Sequence, residues 1–328
     1  MADQKFETLE IGEVPPDKEK ELELEPDQAE TQQEAVQQPE PKRKTLAEIL
    51  FKGTEDEIKQ RFVEEVQLMD AVGGMILEKY QCLAILEPSD SIDNFELDRI
   101  FQSLRNQNKQ RDVLLILLSR GGSIEPAYQI SKLCKAHAKG RFIVIIPRFA
   151  KSAATLIALG ADEIHMGPLG QLGPIDPQIK GLPALGVNQA LRTIAAVSQD
   201  YPKSANMLAM YLQKVLTVEQ IGYCNRICDS AEQYAVRLLS TKTLERKAPL
   251  IAKELVHEYK DHSFVIDVDE ARQHLGASWV KSDTPELEFA EKLYSLFEFF
   301  NFFLAPRRRL VVIGSLEAAD TCLLWTNE

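Results

Sequence analysis

Two uninterrupted apolar runs in the middle of the chain limit the folds that this sequence can adopt. Residues 113–118 read VLLILL and residues 142–146 read FIVII, and neither run alternates with polar residues. A strand without a polar side is buried on both faces, as in a parallel sheet that is covered by helices. Stretches with helical spacing lie between and around these runs. The alternation therefore predicts an α/β fold with a mostly parallel sheet and flanking helices.

The hydrophobic pattern divides the rest of the chain into further elements. Helices are expected over residues 45–80, 94–106, 123–138, 152–159, 188–198, 206–239, 243–259 and 285–303. Strands are expected over residues 82–86, 163–166, 264–266 and 310–313.

The first 44 residues differ in composition from everything that follows. They are rich in Glu, Gln and Pro, and they contain a single aromatic residue, Phe6. Such a segment cannot bury enough apolar surface to offset the entropy lost on ordering. We therefore expect a disordered acidic tail over residues 1–44, which either solubilises the chain or acts as a docking or inhibitory arm. Residues 45–328 are expected to form the folded domain.

The charge and the cysteine content restrict the partners and the compartment. The 328 residues carry a formal net charge of −12, whereas non-specific nucleic-acid binding requires a basic face. Nucleic acid is therefore not an expected partner. The five cysteines are scattered and odd in number, which is typical of reduced thiols in the cytoplasm. The acidic N-terminus also lacks the apolar core of a signal peptide, so we expect a cytoplasmic protein.

One short segment raises the question of membrane contact. Residues 296–305 read LFEFFNFFLA and are followed by three arginines. The segment is shorter than the roughly 18 apolar residues of a membrane span. We expect the buried end of a helix and no membrane span, with contact to a membrane surface as the alternative.

Ser152 is the first candidate for chemistry. It follows the apolar run 142–146 and begins an apolar helix, which places it at the carboxyl edge of the sheet, where α/β proteins position their sites. The N–H groups of Ala153 and Ala154 belong to the first helical turn and are available to a ligand. The alternative role of a serine at this position is an ordinary helix N-cap.

A glycine pair occupies the corresponding position after the neighbouring strand. Gly121 and Gly122 follow the run 113–118 and precede the next helix. Two glycines let the backbone turn sharply and bring bare N–H groups close to a ligand, although a plain strand-to-helix turn uses the same residues. Two such features on successive strands indicate a nucleophile with donors for an oxyanion.

A carboxylate and a histidine are also available. Asp176 lies in LGPIDPQ, where two prolines stiffen the loop, and a rigidly held carboxylate suits the orientation of a histidine. His165 falls in an expected strand and His137 in an exposed helix end. His262 begins HSFVIDVDEARQHLG, ahead of an expected strand and helix.

Two spacings come close to metal motifs without matching one. Cys224 and Cys228 are one helical turn apart, but no second Cys/His pair at ligand spacing lies nearby. The segment HEYKDH, which starts at His257, differs from HExxH because its histidines are five residues apart. On a helix that spacing separates them by about 140°, so they cannot share one metal ion. We expect no metal and no cofactor.

The segments around these candidates resemble one protein family. SRGGSIEPA, at residues 119–127, is similar to the SPGG-type loop of Clp-class proteases. AKSAATLIALGADEIHMGPLGQLGPIDPQ, at residues 150–178, resembles the serine dehydrogenase proteinase family, a distant relative of ClpP and of the signal peptide peptidase SppA. DHSFVIDVDEARQHLG, at residues 261–276, resembles the histidine-containing segment of that family. The acidic tail and the last twenty or so residues lie outside the resemblance.

The resemblance implies a ClpP/crotonase-like α/β fold and a catalytic triad in the chain order Ser, Asp, His. The nucleophile then falls on Ser152 in AKSAAT, the orienting acid on Asp176 in GPIDPQ and the base on His262 in DHSF. The oxyanion donors fall on the N–H groups of Gly122 and Ala153.

Two positions depart from the family pattern. Ala154 replaces the usual glycine after Ser-Ala, and Arg120 stands where proline is common. SppA-like relatives use a Ser-Lys dyad with the lysine about fifty residues beyond the serine, and Lys203 lies at about that distance from Ser152. A lysine base must be desolvated to lose its proton near neutral pH. The surroundings of Lys203 in YPKSAN are only partly apolar, so it is the alternative base to His262.

The combined features predict an intracellular serine endopeptidase that hydrolyses peptides or proteins through Ser152. Related folds assemble into rings, so the resemblance implies a homo-oligomer. The 328 residues contain no P-loop motif, so an ATPase partner would be a separate chain. Two other functions stay open. One is a non-catalytic scaffold on the same fold, and the other is a crotonase-like acyl-CoA enzyme, which forms a two-amide oxyanion hole without a serine.

Overall fold

The structure, a computed structural model, describes residues 44–89, 91–105, 110–179, 182–240, 245–305 and 307–326. The predicted acidic tail lies outside the described residues except for Lys44. The boundary between tail and folded domain therefore stays a prediction.

Helices and strands alternate along the described chain. The first half contains α1 (Leu46–Lys52), α2 (Glu55–Gly73), α3 (Ile76–Lys79), β1 (Tyr80–Glu87), α4 (Asn94–Arg105), β2 (Asp112–Ser119), α5 (Ile124–His137), β3 (Phe142–Ile146), β4 (Phe149–Ala150), α6 (Ala153–Leu159) and β5 (Glu163–Met166). The second half contains β6 (Gln171–Leu172), β7 (Gln178–Ile179), β8 (Leu182–Pro183), α7 (Ala184–Asp200), α8 (Ala205–Val215), α9 (Val218–Leu239), α10 (Ala248–Lys253), α11 (Val268–Leu275), β9 (Val280–Lys281), α12 (Pro285–Leu304), β10 (Arg308–Ser315) and β11 (Cys322–Thr326).

The main sheet has the strand order β11-β10-β1-β2-β3-β5-β9. The pairs from β1 to β9 are parallel, as the apolar runs predict, because a helix crosses between most successive strands. β10 pairs antiparallel with β1, and β11 pairs antiparallel with β10. The short strands β4 and β6 extend the sheet beyond the end of β2. The observed architecture is the predicted α/β sheet with helices on both faces.

The two central strands are buried on both faces. Alternate side chains of β2 enter two different apolar clusters, Leu115 and Leu117 on one face and Leu114 and Ile116 on the other. Residues of α4, α5, α6 and α9 fill the first cluster, whereas residues of α1, α2 and α12 fill the second. This double burial is the reason that the run contains no polar residue.

Several predicted helices are divided where the sequence supplies a cap. The segment 206–239 breaks at Leu216, because Thr217 begins α9 with a capping box to Gln220. The segment 45–80 forms three helices, which are separated by Gly53 and Gly74. Residues Glu254–Glu258 form a π-helix after α10. The predicted strand 264–266 is reduced to a single antiparallel bridge.

The aromatic end of α12 is buried on one side only. Phe297, Phe300 and Leu304 are buried, as predicted, whereas Phe299 and Phe302 are 42% and 76% exposed. Among the helices of the described residues, none is both long and apolar enough to span a membrane.

Candidate active site

Three adjacent parallel strands end at the same place and deliver the predicted site residues. Ser119 of β2 pairs with Ala150 of β4, and Ala150 pairs with Leu172 of β6. The loop after β2 contains the glycine pair, the loop after β4 contains Ser152, and the loop after β6 contains Asp176. The carboxyl ends of neighbouring parallel strands meet at one edge, so these three loops converge.

Ser152 stands at the start of α6 in an unusual backbone conformation. Its φ of 52° and ψ of −121° lie outside the regions that non-glycine residues ordinarily occupy. Holding such a conformation costs about 1–3 kcal/mol and is typical of functional positions. The Ser152 side chain forms no capping hydrogen bond, so it does not act as the ordinary N-cap that the sequence allowed.

Gly121 lies directly against the serine. A Cβ atom at this position would be 2.6 Å from Ser152 Cβ, 2.7 Å from the carbonyl oxygen of Lys151 and 3.0 Å from the Ala153 nitrogen. The backbone φ of Gly121 is +111°, a value that side-chain-bearing residues rarely adopt. Contact and conformation therefore both require glycine beside Ser152.

Two backbone amides at this edge are left without an acceptor. The Gly121 N–H donates to Ser119 Oγ at 3.1 Å, and the Gly121 carbonyl accepts from the Ile92 N–H at 2.8 Å. Within the part of the chain that the structure describes, neither the Gly122 N–H nor the Ala153 N–H has a hydrogen-bond acceptor. These are the two amides that the sequence predicts as oxyanion donors.

Asp176 and His262 form a hydrogen-bonded pair across 86 residues of sequence. His262 Nδ1 lies 2.6 Å from Asp176 Oδ1. The Asp176 side chain is 8% exposed and the His262 side chain 23% exposed, so the pair is largely shielded from water. A carboxylate that accepts from Nδ1–H fixes the imidazole tautomer and leaves Nε2 for another partner. In the described residues Ser152 Oγ forms no hydrogen bond, so that partner is not yet Ser152.

Lys151 ties together the two loops that carry the acid and the histidine. Its Nζ donates to the Leu172 carbonyl at 3.0 Å and to the Phe264 carbonyl at 2.9 Å. Leu172 and Ile266 add two backbone hydrogen bonds of 2.9 and 3.1 Å between the same loops. Burial lowers the pKa of Lys151. The sequence reasoning overlooked Lys151, although it directly precedes Ser152 in the quoted motif.

A cavity of about 600 Å³ opens over these residues, and Ser152, His262 and Gly122 line it. The loops after β1 and β2, together with the first turn of α5, supply one wall, and α9 supplies another. The first wall contains Ser89, Ser91, Arg120 and Glu125, and the second contains Tyr223 and Ile227. The α9 wall was not foreseen, because Tyr223 and Ile227 look like ordinary core positions of a helix.

Lys203 lies apart from this cavity. It is exposed in the short 3₁₀ turn Pro202–Ser204, ahead of α8, and it is not one of the cavity-lining residues.

The other histidines and the cysteines have partners or positions of their own. His165 is buried in β5 and hydrogen-bonds to Thr284 Oγ1 at 2.8 Å. His257 Nε2 lies 3.0 Å from Glu232 Oε2. All five cysteines are buried and free. Burial, with a smaller effect of the nearby Asp176 charge, raises the pKa of Cys228 to about 11.

The fold is of the ClpP-like α/β class, with its site loops at the carboxyl ends of a mostly parallel sheet. The chain belongs to the family of ClpP-like SDH-type serine proteinases, which it matches over residues 90–315. This membership confirms the family resemblance of the central segments.

Two uncharacterised proteins of Methanocaldococcus jannaschii are similar to this chain. One is 31% identical over 204 residues, which cover 62% of this chain and 63% of that protein. The other is 29% identical over 204 residues, which cover 62% of each chain. The chain thus spans less than two thirds of the length of these curated relatives.

Similar solved structures include a mutant of the 1510-N membrane-bound stomatin-specific protease and ClpP1 from Listeria monocytogenes. The first is 16% identical with a TM-score of 0.41, and the match covers 64% of this chain and 83% of that chain. The second is 14% identical with a TM-score of 0.37, and the match covers 67% of this chain and 97% of that chain.

Proposed function

We propose that this chain is a serine endopeptidase that cleaves peptide bonds through Ser152. The observation that carries the proposal is the cavity that Ser152 and His262 share, with Asp176 bonded to His262 at 2.6 Å. In this reaction Ser152 is the nucleophile, His262 the general base and Asp176 the residue that orients the imidazole. The unpaired N–H groups of Gly122 and Ala153 receive the oxyanion.

The proton and the bonds can be followed through the two halves of the reaction. Ser152 Oγ attacks the peptide carbonyl while its proton passes to His262 Nε2, and a tetrahedral intermediate forms. His262 then gives that proton to the departing amine, the C–N bond breaks, and an acyl-enzyme remains. Water repeats the two steps and releases the acid. The hydrogen bond between Ser152 Oγ and His262 Nε2 is expected to form when substrate binds, because catalytic hydrogen bonds are often long or misaligned before that step.

The strained serine and the Asp176–His262 pair favour a peptidase over the two other functions. A crotonase-like acyl-CoA enzyme uses the two amides alone and needs no serine in a costly backbone conformation. A scaffold needs neither the strain nor the shielded carboxylate–histidine pair. His262 is also favoured over Lys203 as the base, because Lys203 is exposed and lies outside the cavity.

Hydrolysis of an internally quenched peptide mixture tests the proposal. The wild-type chain should cleave the mixture. The hydrolysis rate of Ser152→Ala should fall to the residual level of a triad knockout, roughly 10³–10⁴ times the uncatalysed rate in water. Ser278→Ala, a change in an exposed turn, is the matched control and should keep the wild-type rate. Full activity of Ser152→Ala would overturn the assignment, and a wild type that cleaves nothing would favour the scaffold.

We further propose a cytoplasmic homo-oligomer that takes peptide or protein substrates, with any ATPase on a separate chain. α8 supports the assembly, because it buries none of its own residues and exposes Met207, Met210 and Tyr211. A second copy of the chain would cover this apolar surface. Light scattering should give the wild type an oligomer mass that Met210→Glu lowers and that Gln213→Glu, on the same helix, leaves unchanged. A monomeric wild type would contradict the proposal.

A further inference from the structure

One wall of the cavity carries a guanidinium that is held in place without a carboxylate partner. Arg120 lies between β2 and Gly121, the glycine that packs against Ser152. Its Nε donates to the Pro88 carbonyl at 3.0 Å, and its guanidinium carbon lies 5.5 Å from the centroid of the Phe149 ring. Across the described residues, neither Nη1 nor Nη2 has an acceptor. Arg120 is thus anchored through one nitrogen and free at the two others.

The N-terminus of α5 adds to the positive potential of the same wall. Ser123 and Ile124 at the start of this 14-residue helix line the cavity, and the Ser123 side chain forms no capping hydrogen bond. A helix N-terminus carries about half a positive charge, which acts in addition to the Arg120 cation. The Glu125 carboxylate, in the first turn of α5, opposes this potential. It is exposed and forms no ion pair with a described residue, so water screens much of its charge.

We propose that Arg120 forms a carboxylate-binding subsite, which selects peptides with a carboxylate near the bond that Ser152 cleaves. This inference rests on the proposed peptidase function. A planar guanidinium with two free Nη groups binds a carboxylate through two parallel hydrogen bonds, an arrangement that a point charge cannot provide. The carboxylate has two possible sources in a peptide, an Asp or Glu side chain and the free C-terminus, and both present the same chemistry to Arg120.

The preference should be moderate because Arg120 is exposed. Hydrogen bonds to charged groups contribute more than neutral ones, but an exposed ion pair is weakened by water and salt. The expected gain is about tenfold in kcat/KM, with a decrease at high salt.

Three quenched peptides of equal length test the subsite. One is neutral with an amidated C-terminus, one carries a single Glu beside the cleavage position with an amidated C-terminus, and one is neutral with a free C-terminus. The wild type should cleave one of the two carboxylate peptides about tenfold faster than the neutral amide. Arg120→Gln should reduce the ratio of kcat/KM between the carboxylate peptide and the neutral amide to about one, and Arg120→Lys should restore part of that ratio. The peptide that responds identifies the source of the carboxylate.

Arg246→Gln is the matched control, because Arg246 is also exposed but does not line the cavity. It should leave all three rates unchanged. A neutral fluorophosphonate carries no carboxylate, so its reaction with Ser152 in Arg120→Gln shows whether the nucleophile is still reactive.

Several results would overturn the subsite. The subsite would be refuted, while the peptidase assignment stands, if the wild type cleaved all three peptides at the same rate. The same conclusion would follow if Arg120→Gln lowered the three cleavage rates by the same factor. Loss of fluorophosphonate labelling in Arg120→Gln would show that Arg120 supports Ser152 rather than the substrate. A wild type that neither cleaves peptides nor reacts with the probe would overturn the peptidase function and the subsite together.

Discussion

Replacement of Gly121 by alanine should disturb the nucleophile through a single methyl group. The added Cβ would lie 2.6 Å from Ser152 Cβ and 2.7 Å from the Lys151 carbonyl oxygen. Neither neighbour is the movable end of a flexible side chain, so the backbone around Ser152 has to shift. The backbone φ of +111° adds a conformational cost at the same position.

The two costs can be separated by comparison with other glycines. Gly276 has a φ of +98° but nothing within 4 Å of its Cβ position, so Gly276→Ala carries the conformational cost alone, about 1–3 kcal/mol. Gly121→Ala adds the steric overlap, worth about 1–3 kcal/mol in a well-packed region. Gly222 lies within α9 with open space around it, so Gly222→Ala should stabilise the chain by about 0.5–1 kcal/mol.

Thermal melts and fluorophosphonate labelling rates of the three variants provide the assay. We expect the highest melting temperature for Gly222→Ala, followed by the wild type and then Gly276→Ala. Gly121→Ala should have the lowest melting temperature. Only Gly121→Ala should also slow labelling, by roughly 10²-fold, because a displacement of about 1 Å at a reacting atom costs that much. The account of Gly121 would be refuted if Gly121→Ala had the same melting temperature as Gly276→Ala and reacted with the fluorophosphonate at the wild-type rate.

Three further predictions concern the base, the loops and the tail. The rate of activated-ester hydrolysis should fall by roughly 10³-fold or more in His262→Ala, whereas the rate of Lys203→Ala should stay near that of the wild type. The reverse result would replace the triad by a Ser-Lys dyad. Lys151→Met should slow fluorophosphonate labelling roughly 10- to 100-fold because the two loop carbonyls lose their common donor, and unchanged labelling would contradict this role. A chain that starts at Thr45 should melt within a few degrees of the full chain in calorimetry, and loss of folded protein would show that the tail is structural.

The sheet and its central site loops were predictable because their signals are local. The runs 113–118 and 142–146 are buried on both faces of the sheet, which is why neither run contains a polar residue. Ser152 and the glycine pair follow those runs directly, so the position of the strands fixed their place at the sheet edge. The family resemblance of this region is confirmed by the family match, whereas the catalytic roles stay predictions.

Other features depend on contacts that a single sequence does not encode. β4 and β6 contain two residues each, too few for any periodicity, yet their pairing brings the Ser152 and Asp176 loops together. The approach of His262 to Asp176 spans 86 residues, and only the family resemblance suggested it. The bonds of Lys151 to two carbonyls became visible only in three dimensions, because backbone acceptors have no sequence signature.

Peptide mapping of a fluorophosphonate adduct is the most direct test that Ser152 is the nucleophile of a serine peptidase. The wild-type chain is labelled to completion, digested and sequenced by tandem mass spectrometry, with Ser152→Ala treated in parallel. We expect one phosphonylated residue, Ser152, and no adduct on the Ser152→Ala chain. An adduct on another residue, an adduct that survives the substitution, or a wild type without any adduct would contradict the account.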